Sequence, residues 1–231
     1  MQFILDGIQK GIHLIATLDP QVMVIVKLSL FVSALATAIA VVIAVPLGSL
    51  IAIKNFSGKK LAIALINTGM GLPPVVVGLV VTLFLSRYGP LGFLHWLYTP
   101  IGMVLAQVII ATPIITGLSM AAMQGVEQKF FLQIIALGAT TRQALWIVLK
   151  EIRLSVLAAV IAGFGSIISE VGAVMMVGGN IKGQTRVLTT AVVLETHMGN
   201  IDIAIALSLI LLSMSFIVNL TLTFIQQRKA R

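Results

Sequence analysis

The side chains able to do acid–base, nucleophilic or metal chemistry are few in this sequence and lie far apart. Glu170 is the acid placed deepest inside an apolar stretch, and His13, His95 and His197 are isolated from one another along the chain. No pair of these residues has the spacing of a zinc site, and neither a nucleophile elbow nor a phosphate-binding GxxxxGK[ST] loop occurs. The sequence therefore predicts no catalytic site, no metal site and no cofactor bound by this chain, so that any ATP hydrolysis belongs to another subunit.

The composition is typical of a membrane protein. Of 231 residues, 59% are apolar and 10% are charged, and the mean hydropathy is +1.12. A soluble domain carries about 25% charged residues, which excludes a soluble globular fold. The net charge of +8 is spread over several polar segments, so the expected partner is the lipid bilayer and not nucleic acid. Residues 1–23 are amphipathic and lack the solid apolar core of a signal peptide, which predicts a helix at the membrane interface.

Five apolar stretches are long enough to cross a bilayer, because a spanning helix needs about 20 mostly apolar residues. The predicted spans are residues 24–53, 61–86, 101–123, 154–177 and 201–225. Pro73 and Pro74 lie near the middle of the second span, and Pro113 lies in the third; each is predicted to kink its helix. Residues 187–196 are compatible with a re-entrant or an interfacial helix.

The polar segment 124–153 interrupts this apolar pattern. Apolar residues recur at helical spacing on both sides of Gly138, which predicts two short surface helices that meet at residues 136–139. Such an element could be an ordinary turn, or it could present an apolar surface to a partner outside the membrane. The residues predicted to form that surface are Phe130, Phe131, Leu132, Ile135, Ala136, Leu137, Gly138 and Ala139.

The basic residues predict the orientation of the chain. Most of them fall in three polar segments, residues 54–60, residues 124–153 and the tail 226–231. Cytoplasmic loops carry an excess of Lys and Arg, so these segments and the C-terminus are predicted to be cytoplasmic and the N-terminus to lie outside. Five spans satisfy this arrangement.

Segment 124–153 and residues 169–190, SEVGAVMMVGGNIKGQTRVLTT, together resemble the permease subunit of bacterial and archaeal ABC importers. In that family, a cytoplasmic loop with a central glycine inserts a helix into a groove on the ATPase subunit. Gly138 and Val148 match the loop pattern, whereas residues 132–134 and 150–151 depart from its Glu-Ala-Ala and Leu-Pro ends. Residues 169–190, LPPVVVG at 72–78 and GPLG at 89–92 are similar to the molybdate and tungstate branch. Residues 174–191 are most similar to tungstate permeases.

The resemblance implies an all-α integral membrane protein with the type I ABC importer permease fold. It would have about five transmembrane helices in residues 24–225, an N-terminal interfacial helix and a cytoplasmic coupling-helix segment. The implied partners are a second copy of the chain, two ABC ATPase subunits that hold ATP and Mg²⁺, and an extracytoplasmic substrate-binding protein. The implied cargo is tungstate, then molybdate and, more distantly, sulfate, carried across the cell membrane of a bacterium or archaeon.

Two further groups of residues are candidates for the transport path and its outer mouth. For Glu170, a structural role is favoured over cargo contact because a carboxylate repels an anion, and a gating role stays open. Hydroxyl groups along the path could donate hydrogen bonds to the cargo or to carbonyl groups of their own helix. The outer loop could be an ordinary solvated loop, or it could bind the binding protein or the anion. The path candidates are Pro73, Pro74, Thr112, Pro113, Ser169, Glu170 and Gly172, and the loop candidates are Asn180, Lys182 and Arg186.

Two other classes of protein are alternatives. An ion-driven secondary transporter usually has paired broken helices in corresponding halves, and the sequence predicts one clear break, at Pro73 and Pro74. A membrane-embedded enzyme needs convergent acids or histidines at membrane depth, and Glu170 stands alone there. Neither alternative explains segment 124–153.

Overall fold

A computed structural model describes residues 2–17 and 19–228. Within these residues the fold is all-α, as predicted, with one short 3₁₀ turn at Gly92–Leu94. The helices are α1 (Gln2–Ala16), α2 (Pro20–Ile53), α3 (Lys59–Met70), α4 (Pro74–Leu85), α5 (Pro100–Gln124), α6 (Gln128–Ala136), α7 (Thr141–Glu151), α8 (Arg153–Ile168), α9 (Gly172–Gly178), α10 (Leu188–His197) and α11 (Ile201–Arg228). Met1 and Leu18 of the predicted N-terminal segment and residues 229–231 of the predicted tail lie outside the described residues.

Three helices are long and apolar enough to cross a membrane by themselves, and their starts are encoded locally. They are α2, α5 and α11, and the number of spans in the described residues rises to five if each of two bent helix pairs counts as one. The Asp19 carboxylate accepts hydrogen bonds from the backbone amides of Gln21 and Val22, and so caps α2. Thr99 caps α5 in the same way, and a proline occupies the first position of both helices.

The predicted second span is two helices, α3 and α4, which meet at an angle of 100°. The break lies at residues 71–73, where the two prolines predicted a kink. Pro74 begins α4, because a proline has no amide hydrogen to donate and its fixed φ suits the first helical position. The prediction of a break is confirmed, and the bend is sharper than a kinked helix.

The predicted fourth span, residues 154–177, is not one continuous helix. It is divided into α8 and α9, which are bent by 59°. No proline marks this break. Instead, the Glu170 carboxylate accepts a hydrogen bond at 3.0 Å from the amide of Ala173, the second residue of α9. The chain therefore has a second broken helix that the sequence analysis did not find.

The centre of the bundle is the pair α2 and α5, which approach closely along their length. Ala36, Ala40 and Ala44 form a fully buried stripe on α2. At Gly48, an added Cβ atom would lie 2.6 Å from the backbone oxygen of Thr116. Small residues let helix backbones come together and gain van der Waals contact where lipid removes the hydrophobic driving force.

Helix α1 packs against α11, a contact that the amphipathic pattern did not predict. Gly7 and Gly11 face α11, and the Lys10 ammonium lies 2.6 Å from the Asp202 carboxylate. The apolar side of α1 remains exposed at Ile12, as the amphipathic pattern predicts. Residues 187–196, which the sequence left open, form most of α10, and this helix packs on α11 as well.

Candidate functional site

The turn of segment 124–153 has the geometry that its glycine predicts. Gly138 adopts a φ of +91°, in the left-handed region. Its amide donates to the carbonyl of Ile135, and the amide of Ala139 donates to the carbonyl of Ile134. These two bonds form a Schellman motif, which ends a helix by satisfying its last carbonyl groups. Because L side chains rarely adopt this φ, glycine is the residue that fits here.

The helix that follows the turn begins at an equally defined point. The Thr140 hydroxyl accepts a hydrogen bond from the amide of Gln143, and the Gln143 side chain accepts one from the amide of Thr140. This reciprocal pair is a capping box. The Schellman motif and the capping box together fix the angle between α6 and α7, so the segment is a rigid corner and not a slack loop.

A small apolar cluster attaches this corner to the bundle. Its buried members come from the end of α5, from α6 and α7 and from the residue between α7 and α8, and they pack against the last residues of α2. Ala144 and Val148 on α7 are almost completely buried. The buried members are Met123, Ile134, Ala144, Val148 and Ile152. The corner is therefore packed against the ends of α2 and α5.

The exposed apolar surface of the corner differs from the predicted set. Phe130, Phe131 and Ile135 are half-buried against the apolar cluster, so they mainly hold the corner in place. Leu137 is 89% exposed and Leu132 is 56% exposed. These two leucines, with the smaller Ala136 and Ala139 between and beside them, form the outward surface.

Trp146 was missed by the sequence analysis and belongs to the same surface. Its side chain is 62% exposed, and the Lys150 ammonium lies 5.9 Å from the centroid of its ring. The available signal was an aromatic residue four positions before a lysine on a predicted surface helix. Trp146 helps to line an apolar groove of about 990 Å³ between α2 and the corner, which Leu137, Gly138 and Arg142 also line.

The two broken helices contact each other through their second halves, α4 and α9. An added Cβ at Gly78 would lie 2.6 Å from Cα of Ala173, and one at Gly172 would lie 2.8 Å from the Val75 side chain. The path candidate Gly172 thus lies directly against α4, at the residue that follows Pro73 and Pro74. The structure brings both breaks to one place.

Pro113 lies beside α3, where an added Cβ at Gly69 would be 2.8 Å from the proline ring. The neighbouring Thr112 hydroxyl donates to the carbonyl of Val108 in its own helix, and the Ser169 hydroxyl donates within α8. Of the two alternatives for the path hydroxyls, bonding to their own helix is the one found. These hydroxyl hydrogens are therefore already engaged in this conformation.

The Glu170 carboxylate accepts a hydrogen bond from the amide of Ala173 in α9, which is a structural contact; the structural role that the sequence favours and the gating role both stay predictions. Gln107, on α5, was missed although it is an amide side chain inside an apolar span, which is the signal that could have found it. Its side chain is 3% exposed, and its Nε2 group donates to the carbonyl of Ile167 at the end of α8. Gln107 and Glu170 therefore bind the two helix ends that flank the break.

The outer loop after α9 is a tightly bonded turn. Thr185 is fully buried; its hydroxyl donates to the carbonyl of Gly178 and accepts from the amide of Ile181. Arg186 Nε donates to the Asn180 side chain at 3.3 Å. Lys182 is exposed, and it lines a cavity of about 540 Å³ with Arg186, Lys10, Asp19 and Glu195. Asn180 and Arg186 therefore shape the loop, and Lys182 is the candidate that is free to meet a partner.

Comparison with known proteins adds an independent observation. Residues 44–231 match the sequence family described as "binding-protein-dependent transport system inner membrane component". Over 229 residues, 98% of this chain and 100% of the relative, the sequence is 42% identical to the tungstate uptake system permease protein of Peptoclostridium acidaminophilum. It is 42% identical over 84% of its length to a probable anion ABC transporter permease protein of Haloferax volcanii, covering 86% of that protein. It is also 32% identical over 95% of its length to the tungstate uptake system permease protein of Campylobacter jejuni, covering 92% of that protein.

Proposed function

Because the chain belongs to the family of inner membrane components of binding-protein-dependent transport systems, we propose that it is the channel-forming permease subunit of an ATP-driven importer of tungstate. The observation that carries this proposal is the match along almost the whole chain to a tungstate permease at 42% identity. The similarity of residues 174–191 to tungstate permeases supports the same cargo. Molybdate is the second candidate, because the same branch of the family carries both anions.

The corner between α6 and α7 is the proposed docking site for an ATPase subunit. Its support is a defined geometry with exposed apolar side chains: Leu137 projects from a turn fixed by the Schellman motif, and Leu132 and Trp146 lie beside it. A few side chains that enter well-packed pockets carry most of the free energy of binding at protein interfaces, and tryptophan is one of the residue types enriched among them. Two copies of the chain would present two such corners to two ATPase subunits, which hold the ATP and Mg²⁺.

The coupling step follows from how the corner is attached. The buried cluster joins α6 and α7 to the ends of α2 and α5. Closure of the ATPase subunits on ATP would draw the two corners together, and α5 would carry this movement toward α8 and α9, against which it packs. The broken helices then tilt about residues 71–73 and 169–171, and the path between the two copies opens to the other side.

The same assignment is consistent with the orientation of the chain that the basic residues predict. The corner and the C-terminus lie on the cytoplasmic side, as the basic residues indicate. The rigid outer loop, with Lys182 exposed, lies on the opposite side, where an extracytoplasmic binding protein delivers the anion. The protein is a multi-pass component of the cell membrane of a bacterium or archaeon.

The two alternative classes are not favoured. The sequence argument against a secondary transporter was that only one broken helix, at Pro73 and Pro74, could be predicted. The second break, between α8 and α9, removes this argument. Even so, the family match supports a transport subunit, and neither a secondary transporter nor an embedded enzyme needs the corner.

The experiment that tests this function is reconstitution of the chain in lipid vesicles with a candidate ATPase subunit and a candidate binding protein. We expect ATP hydrolysis to rise when tungstate-loaded binding protein is added, and to stay at its basal rate with unloaded binding protein. A complex that fails to form, or hydrolysis that ignores the loaded binding protein, would contradict the proposal. Molybdate-loaded binding protein shows whether the second candidate anion is also accepted.

A further inference from the structure

A group of polar side chains meets inside the apolar bundle, next to the break between α8 and α9. We name it the polar junction; it consists of Ser29 and Ser33 of α2, Gln107 of α5, Glu170 at the break and Thr189 of α10. These residues, with three apolar neighbours, line a cavity of about 10 Å³. Burying a polar group in a membrane protein costs free energy unless the group is hydrogen-bonded. Each polar group of the junction is therefore expected to have a hydrogen-bond partner.

Gln107 has one half of its amide paired and the other half free. Nε2 donates to the carbonyl of Ile167 at 3.1 Å, whereas Oε1 is buried and accepts no hydrogen bond from any described group. The side chain as a whole is 3% exposed. An amide oxygen in this position keeps two lone pairs directed at its surroundings, and the adjoining space is the small cavity.

Ser33 supplies a matching free donor. In the part of the chain that the structure describes, its hydroxyl makes no hydrogen bond, although its carbonyl accepts one. The other two hydroxyl groups are engaged: Ser29 donates within its own helix and accepts from the amide of Leu188, and Thr189 donates to the carbonyl of Glu170. The Ser33 hydroxyl and the buried Gln107 Oε1, both without a hydrogen-bond partner among the described residues, therefore line the same cavity.

We propose that the polar junction binds one internal water molecule, which accepts a hydrogen bond from the Ser33 hydroxyl and donates one to Gln107 Oε1. A buried water needs a space of at least about 10–15 Å³ and two to four polar partners. The cavity of about 10 Å³ reaches the lower limit of that range and offers both partners. A tetrahedral oxyanion has five heavy atoms and does not fit, so this site is separate from any cargo site.

The water gives Gln107 a second role, as a positioning residue. Through Nε2 the side chain ties α5 to the end of α8, and through the water on Oε1 it ties α5 to α2. Three helices are thus joined at the break by a single amide. The break between α8 and α9 is consequently held against α2 and α5.

The site can be detected by radiolytic hydroxyl-radical labelling of the intact chain in lipid nanodiscs, followed by mass spectrometry. X-rays split a bound water in place, and the radical modifies the nearest side chain even where bulk water does not reach. Ile168 lines the cavity and is 4% exposed; Ile210 is comparably buried at 5% and does not line it. We expect Ile168 to be modified several-fold faster than Ile210.

Two variants distinguish labelling of Ile168 by the bound water from labelling by solvent that enters the bundle. Ser33→Ala removes the donor and should lower the modification of Ile168 to the rate of Ile210. Ser49→Ala is the matched control, because Ser49 is also a buried serine of α2, but its hydroxyl donates to the carbonyl of Val45; it should leave the rate unchanged. Equal modification of Ile168 and Ile210 in the wild-type chain, or an unchanged rate in Ser33→Ala, would overturn the proposal.

Discussion

Leu137 is the residue whose removal tests the docking corner most cleanly. It lies at the end of α6, just before Gly138, and 89% of its side chain is exposed. A leucine this exposed contributes little to folding, since its surface is not buried within the chain. Leu137→Ala should therefore leave the folded protein intact while it removes apolar surface from the proposed interface with the ATPase.

The size of the effect follows from the three carbon atoms that the substitution removes. Each buried CH₂ group contributes about 0.8 kcal/mol, so complete burial of the exposed part of Leu137 in an ATPase groove contributes about 2 kcal/mol. Every 1.4 kcal/mol changes affinity by about tenfold. The variant should bind the ATPase roughly 30-fold more weakly at each corner.

The assay is titration of the purified ATPase onto the chain in nanodiscs, together with ATP-dependent uptake at limiting ATPase. Leu212→Ala is the matched control, because Leu212 is also exposed, at 67%, but lies on α11 away from the corner. We expect weaker binding and slower uptake with Leu137→Ala and neither with Leu212→Ala. Equal ATPase affinity for the two variants would refute the assignment of the corner as the docking site.

Three further substitutions test the corner, the central helix pair and the outer loop. Gly138→Val forces a β-branched residue into a left-handed conformation, which costs at least about 1–2 kcal/mol; ATP hydrolysis should persist while uptake falls, and unchanged uptake would remove the turn from the mechanism. Gly48→Val should destabilise the bundle by about 1–3 kcal/mol through overpacking, which would lower the midpoint of thermal unfolding. Gly165→Ala should leave the midpoint unchanged, because an added Cβ at Gly165 meets nothing within 4 Å. Thr185→Val leaves the amide of Ile181 without its acceptor, which costs about 1–3 kcal/mol, and hydrogen exchange at that amide should speed up; unaltered exchange would contradict the bonded turn.

Features encoded by local sequence could be predicted. The apolar stretches gave the long helices α2, α5 and α11, because backbone groups in lipid must be paired and length sets the span. Pro73 and Pro74 marked their break because proline removes a donor. Gly138 marked the corner because the pattern of apolar residues stopped and resumed around it.

Features that depend on contacts between residues far apart in the sequence could not be predicted. The break at residues 169–171 has no proline, and it rests on the Glu170 side chain and on Gln107, which lies 60 positions away from its partner Ile167. The packing of α1 on α11 depends on Gly7 and Gly11, which the amphipathic pattern does not distinguish as contact residues. The pattern shows which face is apolar, but a small-residue face finds its partner only in three dimensions.

The same limit explains the revised docking surface. Helical spacing identified Phe130, Phe131 and Ile135 as apolar and periodic, and the structure turns them toward the apolar cluster. Sequence periodicity cannot tell whether such a stripe packs inward or offers itself to a partner. Leu137 and Trp146 are exposed because the Schellman turn and the capping box set the direction of each helix.

The measurement that tests the central claim most directly is ATP-dependent uptake of labelled tungstate into vesicles that contain the chain, its ATPase and its binding protein, in competition with molybdate and sulfate. The account predicts uptake that requires ATP and the binding protein and that excess sulfate leaves intact, with molybdate competing weakly. Uptake of tungstate without ATP, or an assembled and ATP-hydrolysing complex that carries no tungstate, would contradict it.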